Sequence, residues 1–503
     1  MKKPNILLIT SDQQHFDTIG AFNPEISTPN LDRLVREGTT FQRAYCPNPT
    51  CTPSRSSIIT GMYPSQHGAW TLGTKLSEDK QQTVGQVLRD NGYRTALVGK
   101  AHFQPTRSTE EYPSLESLPL LQDIDFWKNY NQPFYGFERI ELLRNHTNEY
   151  LVGQHYVAWL EEKSFSDWKQ YYMAPTGTMD PSIQYTWGIP EEYHYNSFIA
   201  EKTNELLETY HKQEENFFLW ASFPDPHPPY LVPEPWASMY DPDQLTIPEL
   251  VPGEHDRNPP HFKKTQEPEP DFTDLAETGF GIHGYHTHII PEEDRKKLVA
   301  NYYGMVSFMD KYIGSILDKL DELGMADDTL IVFTTDHGHF FGQHGLQYKG
   351  GFHYEDLIKL PFIVRYPGQI PAQRESQALQ SLVDLAPTFL SFANVSIPAL
   401  MSGEDQKQVW LNHQEKKRDH VLCEFRHEPT TIHQKTYVDE RYKITIYYRQ
   451  TYGEIFDLRE DPKELNNLWD HPDYQVLQKE LLLKYAWAEL HKEQMPMPRI
   501  SHA

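Results

Sequence analysis

Cys51 stands in the run NPTCTPSRSSIITGMYPSQHG, residues 48–68. Thr52 is a good helix cap, Pro53 a good first helical residue and Gly61 a natural stop, so SRSSIIT reads as a short helix. Cys51 then falls at or just before a helix N-terminus, where the dipole favours a thiolate or another anion. Arg55, four residues on, can fold back towards it. A nucleophile beside a guanidinium suits attack on an anionic group. A thiolate phosphatase is excluded, because only Thr52, Pro53 and Ser54 separate the cysteine from the arginine. That loop is too short, and has no glycine, to wrap a phosphate.

Such groups need a scaffold. NILLIT (5–10) is a short apolar run that reads as a buried parallel strand ending in polar SDQQ. STPNLDRLVREG carries a helix start at Thr28-Pro29 and a stop at Gly38. TVGQVLRDNGYRTALVGKAHF repeats the pattern, with a helix over 83–90, a turn, a strand over 94–98 and GKAHF at its end. Residues 297–323 have helical periodicity, TLIVFTTDHG is a second buried strand ending in polar residues, and PFIVRYPG is a further short strand. Strands alternating with amphipathic helices predict a doubly wound α/β sheet, with Asp12, Lys100 and Asp336 at the carboxyl edge where ligands bind.

Residues 104–190 and 230–295 read as loop excursions shaping a pocket. After about residue 405, HVLCEF, TYVDERYKITIYY and GEIFDL read as antiparallel strands, followed by a helix near 473–492. The expected architecture is α/β: a large doubly wound mixed sheet flanked by helices (1–405), then a small C-terminal α+β unit with an antiparallel sheet (406–503).

Composition narrows the partners. The net charge of −25, from 46 basic and 71 acidic residues, argues against nucleic acid. Cys46, Cys51 and Cys423 cannot build a disulfide framework. The apolar run at the N-terminus is about four residues long, too short for a signal peptide or a membrane span. The expectation is a soluble cytoplasmic protein with no membrane partner, or a periplasmic or secreted one had a signal been removed.

The run around Cys51 resembles the signature of the formylglycine-dependent type I sulfatases of the alkaline-phosphatase superfamily. It matches at Cys51, Pro53, Ser54, Arg55, Thr60 and Gly61. Further motifs agree in order: ITSDQQ and TTDHGHFFGQHG with the two metal motifs, GKAHF with Gly-Lys-x-His, and FPDPHPPY with Pro-His-x-Pro. LQYKGGFHYED adds a lysine, and GEIFDLREDPKELNNL resembles the family's C-terminal turn. The resemblance implies that a separate maturation enzyme oxidises Cys51 to formylglycine. It implies metal ligands at Asp12, Gln13, Asp336 and His337, with residue 51 completing the site. Arg55 and His102 would hold the hydrated aldehyde; Lys100, His227 and Lys349 would bind sulfate, and His227 or Lys349 would protonate the leaving group.

In that chemistry one hydroxyl of the gem-diol attacks sulfur and the other lets the sulfated intermediate collapse. Oxygen donors suit calcium or magnesium, and a nitrogen ligand admits manganese; the family's usual ion is calcium. The leading expectation is a sulfatase acting on a sulfate monoester of a carbohydrate, with GIHGYHTH (281–288) and YTWGIPEEYHY (185–195) as candidate substrate readers. The alternatives are a phosphonate monoester or phosphodiester hydrolase using the same formylglycine, and an idle binding protein that keeps the fold.

Overall fold

The computed structural model describes residues 3–78, 82–144, 151–172, 186–275, 289–427, 432–494, 497 and 499–501. Its main sheet has eight strands. In chain order they are β1 (Asn5–Ser11), β2 (Thr39–Phe41), β3 (Arg94–Gly99), β4 (Arg139–Leu142), β5 (Phe217–Ser222), β6 (Thr329–Thr335), β7 (Phe362–Arg365) and β8 (Arg374–Ser376). The spatial order is β8-β2-β7-β6-β1-β5-β3-β4. Strands β6, β1, β5, β3 and β4 are parallel, whereas β7 runs antiparallel to both β6 and β2. The sheet is therefore mixed, as expected.

Every residue of β1, β5 and β6 is buried, because helices cover both faces. Alternate side chains feed two cores. Ile6, Leu8, Phe218, Trp220 and Val332 pack with helices α2 (Cys51–Thr60), α3 (Val84–Asp90) and α6 (Leu385–Phe392). Leu7, Ile9, Leu219, Ile331 and Phe333 pack with α1 (Pro29–Glu37), α4 (Tyr195–Gln213) and α5 (Glu292–Glu322). The five parallel strands thus deliver their carboxyl ends to one edge.

Three local readings change. The cap of α2 is Thr50, not Thr52, and Cys51 is already the first helical residue. Pro53 is tolerated because first-turn N–H groups have no intrahelical partner. Gly61 does end the helix, at φ 63°. The 104–190 stretch holds regular structure: β4 pairs with β3, and Gln154–Glu162 is a helix that buries Val157, Trp159 and Leu160. Short apolar elements among polar residues hid it. Finally, TYVDERYKITIYY is two strands, turned at Asp439, whose Oδ1 accepts from the N–H groups of Arg441 and Tyr442 at 2.9 and 2.8 Å.

The C-terminal antiparallel sheet comprises β9 (Val421–Arg426), β10 (His433–Val438), β11 (Tyr442–Tyr447) and β12 (Gly453–Asp457). One face carries Leu422, Tyr437, Ile444 and Ile455 against Leu481 and Ala488 of α7 (Gln475–His491). On the other, Phe425, Tyr447 and Phe456 pack on Phe352 and Tyr354. Gln434 Nε2 donates to Gly351 O at 2.7 Å. This sheet therefore backs the loop that carries Lys349. No helix among the described residues is long and apolar enough to cross a membrane.

Candidate active site

Each strand end contributes one part. β1 leads into Asp12 and Gln13, β3 into Lys100 and His102, β5 into Asp225 and His227, and β6 into Asp336 and His337. Backbone bonds lock these ends together: Asp12 N donates to Asp225 O at 3.0 Å and Lys100 N to Ser222 O at 2.9 Å. The N-terminus of α2 brings in Cys51 and Arg55, and Ser54 Oγ donates to Asp336 O at 2.6 Å.

At the centre, ligand atoms of Asp12, Cys51, Asp336 and His337 all lie within 4.8 Å of one another, and all four residues are buried. Cys51 Sγ is 3.7 Å from Asp12 Oδ1 and 3.3 Å from His337 Nε2. His337 Nδ1 donates to Gly338 O at 3.0 Å, leaving Nε2 with its lone pair towards the cluster. Burial, with Lys349 adding to it against the pull of Asp336, lowers His337 to about 4, so the ring is neutral at pH 7. Gln13 N donates to Asp336 Oδ1 at 3.0 Å, and Gln13 Oε1 is buried with no hydrogen-bond partner. Two carboxylates, a neutral imidazole nitrogen and an amide oxygen form a donor set that fits a divalent cation.

Arg55 is fully buried. Its Nε donates to Asp336 Oδ2 at 2.8 Å and its Nη2 to Asp12 Oδ2 at 3.3 Å. Its Nη1 donates to Lys100 O and Ser222 Oγ at 2.9 and 2.8 Å. Arg55 thus grips the two aspartates. Lys100 Nζ also pairs with Asp12 Oδ2. Burial would raise the Asp12 carboxyl, yet Lys100, then Arg55, Lys349 and His337, hold it below the usual carboxylate range.

Lys349 Nζ donates to Cys51 Sγ at 3.3 Å and to His227 Nε2 at 3.1 Å. His227 Nδ1 donates to Pro228 O at 2.6 Å. Burial, then Lys349 and Lys100, keep His227 well below the ordinary histidine range. His102 is buried at the same edge, at φ 56°, two residues beyond Lys100. The Cys51 thiol departs from expectation: burial, then Asp12, push its pKa up despite the helix N-terminus and the two nearby lysines. It is not an activated thiolate.

The structure thus brings Asp12, Gln13, Cys51, Arg55, Lys100, His102, His227, Asp336, His337 and Lys349 to one edge. Of the candidate substrate readers, residues 281–288 and Tyr185 lie outside the described residues. Trp187, His194 and Tyr195 are buried in packing: Trp187 Nε1 donates to Tyr171 O at 2.7 Å, and the Tyr195 hydroxyl bonds Asp225. Sequence reasoning missed Asp225, whose carboxylate is held by Tyr195 and by Asn196 at 2.7 Å. Burial raises it to about 7. Its place two residues before His227 was the available signal.

A mixed α/β sheet with this constellation at its edge defines an alkaline-phosphatase-like esterase. The chain belongs to the sulfatase family: residues 4–395 match the Sulfatase family model, and residues 342–492 match that of N-sulphoglucosamine sulphohydrolase, C-terminal. It is a sulfuric ester hydrolase. An arylsulfatase of Clostridium perfringens is 28% identical over 477 residues, covering 94% of this chain and 91% of that protein. The N-acetylglucosamine-6-O-sulfatase of Bacteroides thetaiotaomicron is 27% identical over 499 residues, covering 96% and 85%. Among solved structures, a phosphonate monoester hydrolase from Silicibacter pomeroyi has a similar fold, with TM-score 0.80 at 24% identity over 99% of this chain and 98% of that one.

Proposed function

We propose that the protein hydrolyses a sulfate monoester on a carbohydrate, with residue 51 as formylglycine and a divalent cation, calcium, held by Asp12, Gln13, Asp336 and His337. The observation that carries this reading is the buried cluster of Asp12, Cys51, Asp336 and His337 with the Lys349 ammonium on Cys51 Sγ. The N-acetylglucosamine-6-O-sulfatase relative supports the carbohydrate. This reading takes a maturation enzyme as a partner, because oxidation of Cys51 to formylglycine needs an oxidant that the site's own residues do not supply.

A cation held by Asp12, Gln13, Asp336 and His337 would supply Lewis acidity to the reaction. The protein's own groups do the rest. Arg55 holds the two aspartates in register, while Lys100 and Lys349 receive the nonbridging oxygens and His227 Nε2 holds the Lys349 ammonium in place. His102 orients the hydrated aldehyde. Lys349 donates to His227 Nε2, whose other nitrogen is committed to Pro228 O. In the resting site the transferable proton therefore sits on Lys349, which makes Lys349 the general acid.

The test is sulfate release from a panel of sulfated sugars by wild type and Cys51→Ala, with residue 51 of the wild type verified as formylglycine. Release by wild type alone supports the reading; no release from any sugar sinks it. Phosphonate monoester or phosphodiester hydrolysis is the second reading. It is favoured by the neutral Gln13 and His337 beside only two aspartates, and such esters carry the same single negative charge as a sulfate monoester. Relative kcat/KM on an aryl sulfate and an aryl phosphonate ester separates the two.

A further inference from the structure

Gln13 is the weakest member of the proposed cation site, because an amide is chemically two-faced. Its oxygen can bind a cation and its nitrogen can only donate hydrogen bonds. A carboxamide turned by half a rotation would present NH2 to the ion. Something must choose the face.

The structure contains such a device. Gln13 Nε2 lies 2.9 Å from His339 Nδ1. An amide nitrogen cannot accept, so His339 Nδ1 is the acceptor and its proton is on Nε2. That Nε2 lies 2.7 Å from the Tyr230 hydroxyl, which accepts from it. The imidazole plane is fixed by rings: Tyr302 stacks on it with centroids 4.9 Å apart and planes at 20°, while Phe341 meets it at 4.9 Å and 67°. Tyr302 also donates to Gln13 O at 2.8 Å and accepts from His15 N at 2.9 Å. One aromatic box thus grips both the backbone of residue 13, held at φ 61°, and the ring that reads its side chain. With Nε2 bound, Oε1 is the buried amide atom left without a hydrogen-bond partner. Turning the amide over would require the ring proton on Nδ1 and the Tyr230 hydroxyl as donor to Nε2, so the face Gln13 shows and the His339 tautomer are set together.

We propose that His339, oriented by Tyr230 and Tyr302, is a positioning residue that keeps the Gln13 oxygen, rather than its nitrogen, available to the divalent cation. The inference rests on the cation-site reading above. It adds a group two residues beyond His337 that acts only through Gln13.

The test is a double-mutant cycle on calcium affinity, read by calorimetric titration of chelator-treated full-length protein. His339→Leu removes the acceptor and should weaken calcium binding by about 10–100-fold. Gln13→Asp makes the two side-chain oxygens equivalent, so orientation no longer matters. In that background His339→Leu should change calcium affinity less than about twofold. A merely structural role would give the same loss in both backgrounds, and that result, or no loss in either, overturns the proposal. If the leucine variant fails to fold, Tyr230→Phe serves: it should cost several-fold with Gln13 present and nothing in the Gln13→Asp background, and equal losses refute the proposal. Asp336→Asn is the control for the site itself. It should abolish calcium binding; unchanged binding would remove the cation site and this proposal with it, whereas abolished binding with a silent His339→Leu removes this proposal alone.

Discussion

The Lys349 ammonium donates to His227 Nε2 at 3.1 Å, so of the two candidate acids only one holds a proton ready for transfer. The expected consequence is a leaving-group signature. Lys349→Ala should lower kcat by about 10²–10⁴ on an alkyl sugar sulfate, whose alkoxide must be protonated. On a nitrophenyl sulfate, whose leaving group needs little help, the loss should be much smaller. Measuring kcat for both substrates decides it; equal losses would make Lys349 a binding residue only.

Arg55 is the keystone of the two carboxylates. It is fully buried between Asp12 and Asp336. Removing one partner of a buried ion cluster leaves uncompensated charge and costs about 3–5 kcal/mol. Arg55→Ala should therefore lower the urea midpoint sharply. Calcium should restore part of that loss by binding the folded state alone. A variant that unfolds like wild type, with or without calcium, would refute the role assigned to Arg55.

The parts of this molecule that sequence reasoning reached share a physical reason. β1 and β6 are unbroken apolar runs because helices cover both faces of the sheet, so their ends, Asp12 and Asp336, stood out. The Cys51 helix was found from its Pro and Gly punctuation, and only its cap was misplaced by two residues. The Gln13–His339–Tyr230 chain was not legible, because it joins residues more than a hundred positions apart through ring geometry. Nor was the burial of Trp187, His194 and Tyr195, since an aromatic loop looks the same in sequence whether it faces a pocket or a core. The rise of the Cys51 pKa was hidden too: burial outweighs the helix dipole, and sequence records only the dipole.

His344, in the segment that follows β6, lies between Glu254 and Asp356. Burial alone would lower it, but hydrogen bonds that its ring donates to Asp356 and Glu254 raise it to about 9. A histidine whose folded pKa lies above the unfolded value stabilises most below about 6.5. That contribution is lost as pH rises through about 9. Asp356 is shifted the opposite way: despite burial, His15 and His344 hold it below the usual carboxylate range. Its contribution is present above the unfolded carboxylate value and lost on acidification. His344→Gln should therefore flatten the fall in stability between about pH 6.5 and 9, by an amount on the order of 1–3 kcal/mol. Urea midpoints at the two ends of that window test this; an unchanged difference between them would exclude His344 as its source.

Cys51 is buried, with its thiol pushed above the ordinary range by burial and then by Asp12. Reactivity of a cysteine follows its thiolate and its access, and here both are suppressed. Iodoacetamide at pH 7 should label native protein at residue 51 very slowly, and only after unfolding at a normal rate. Activity across preparations made with and without the maturation enzyme should then track the fraction of the residue-51 peptide that mass spectrometry finds in the lighter aldehyde form. Cys51→Ser, which has a hydroxyl but cannot release sulfate through a gem-diol, should give at most a single turnover. Full activity in a preparation whose residue 51 is entirely thiol would eliminate formylglycine from the mechanism and make the buried sulfur itself the nucleophile.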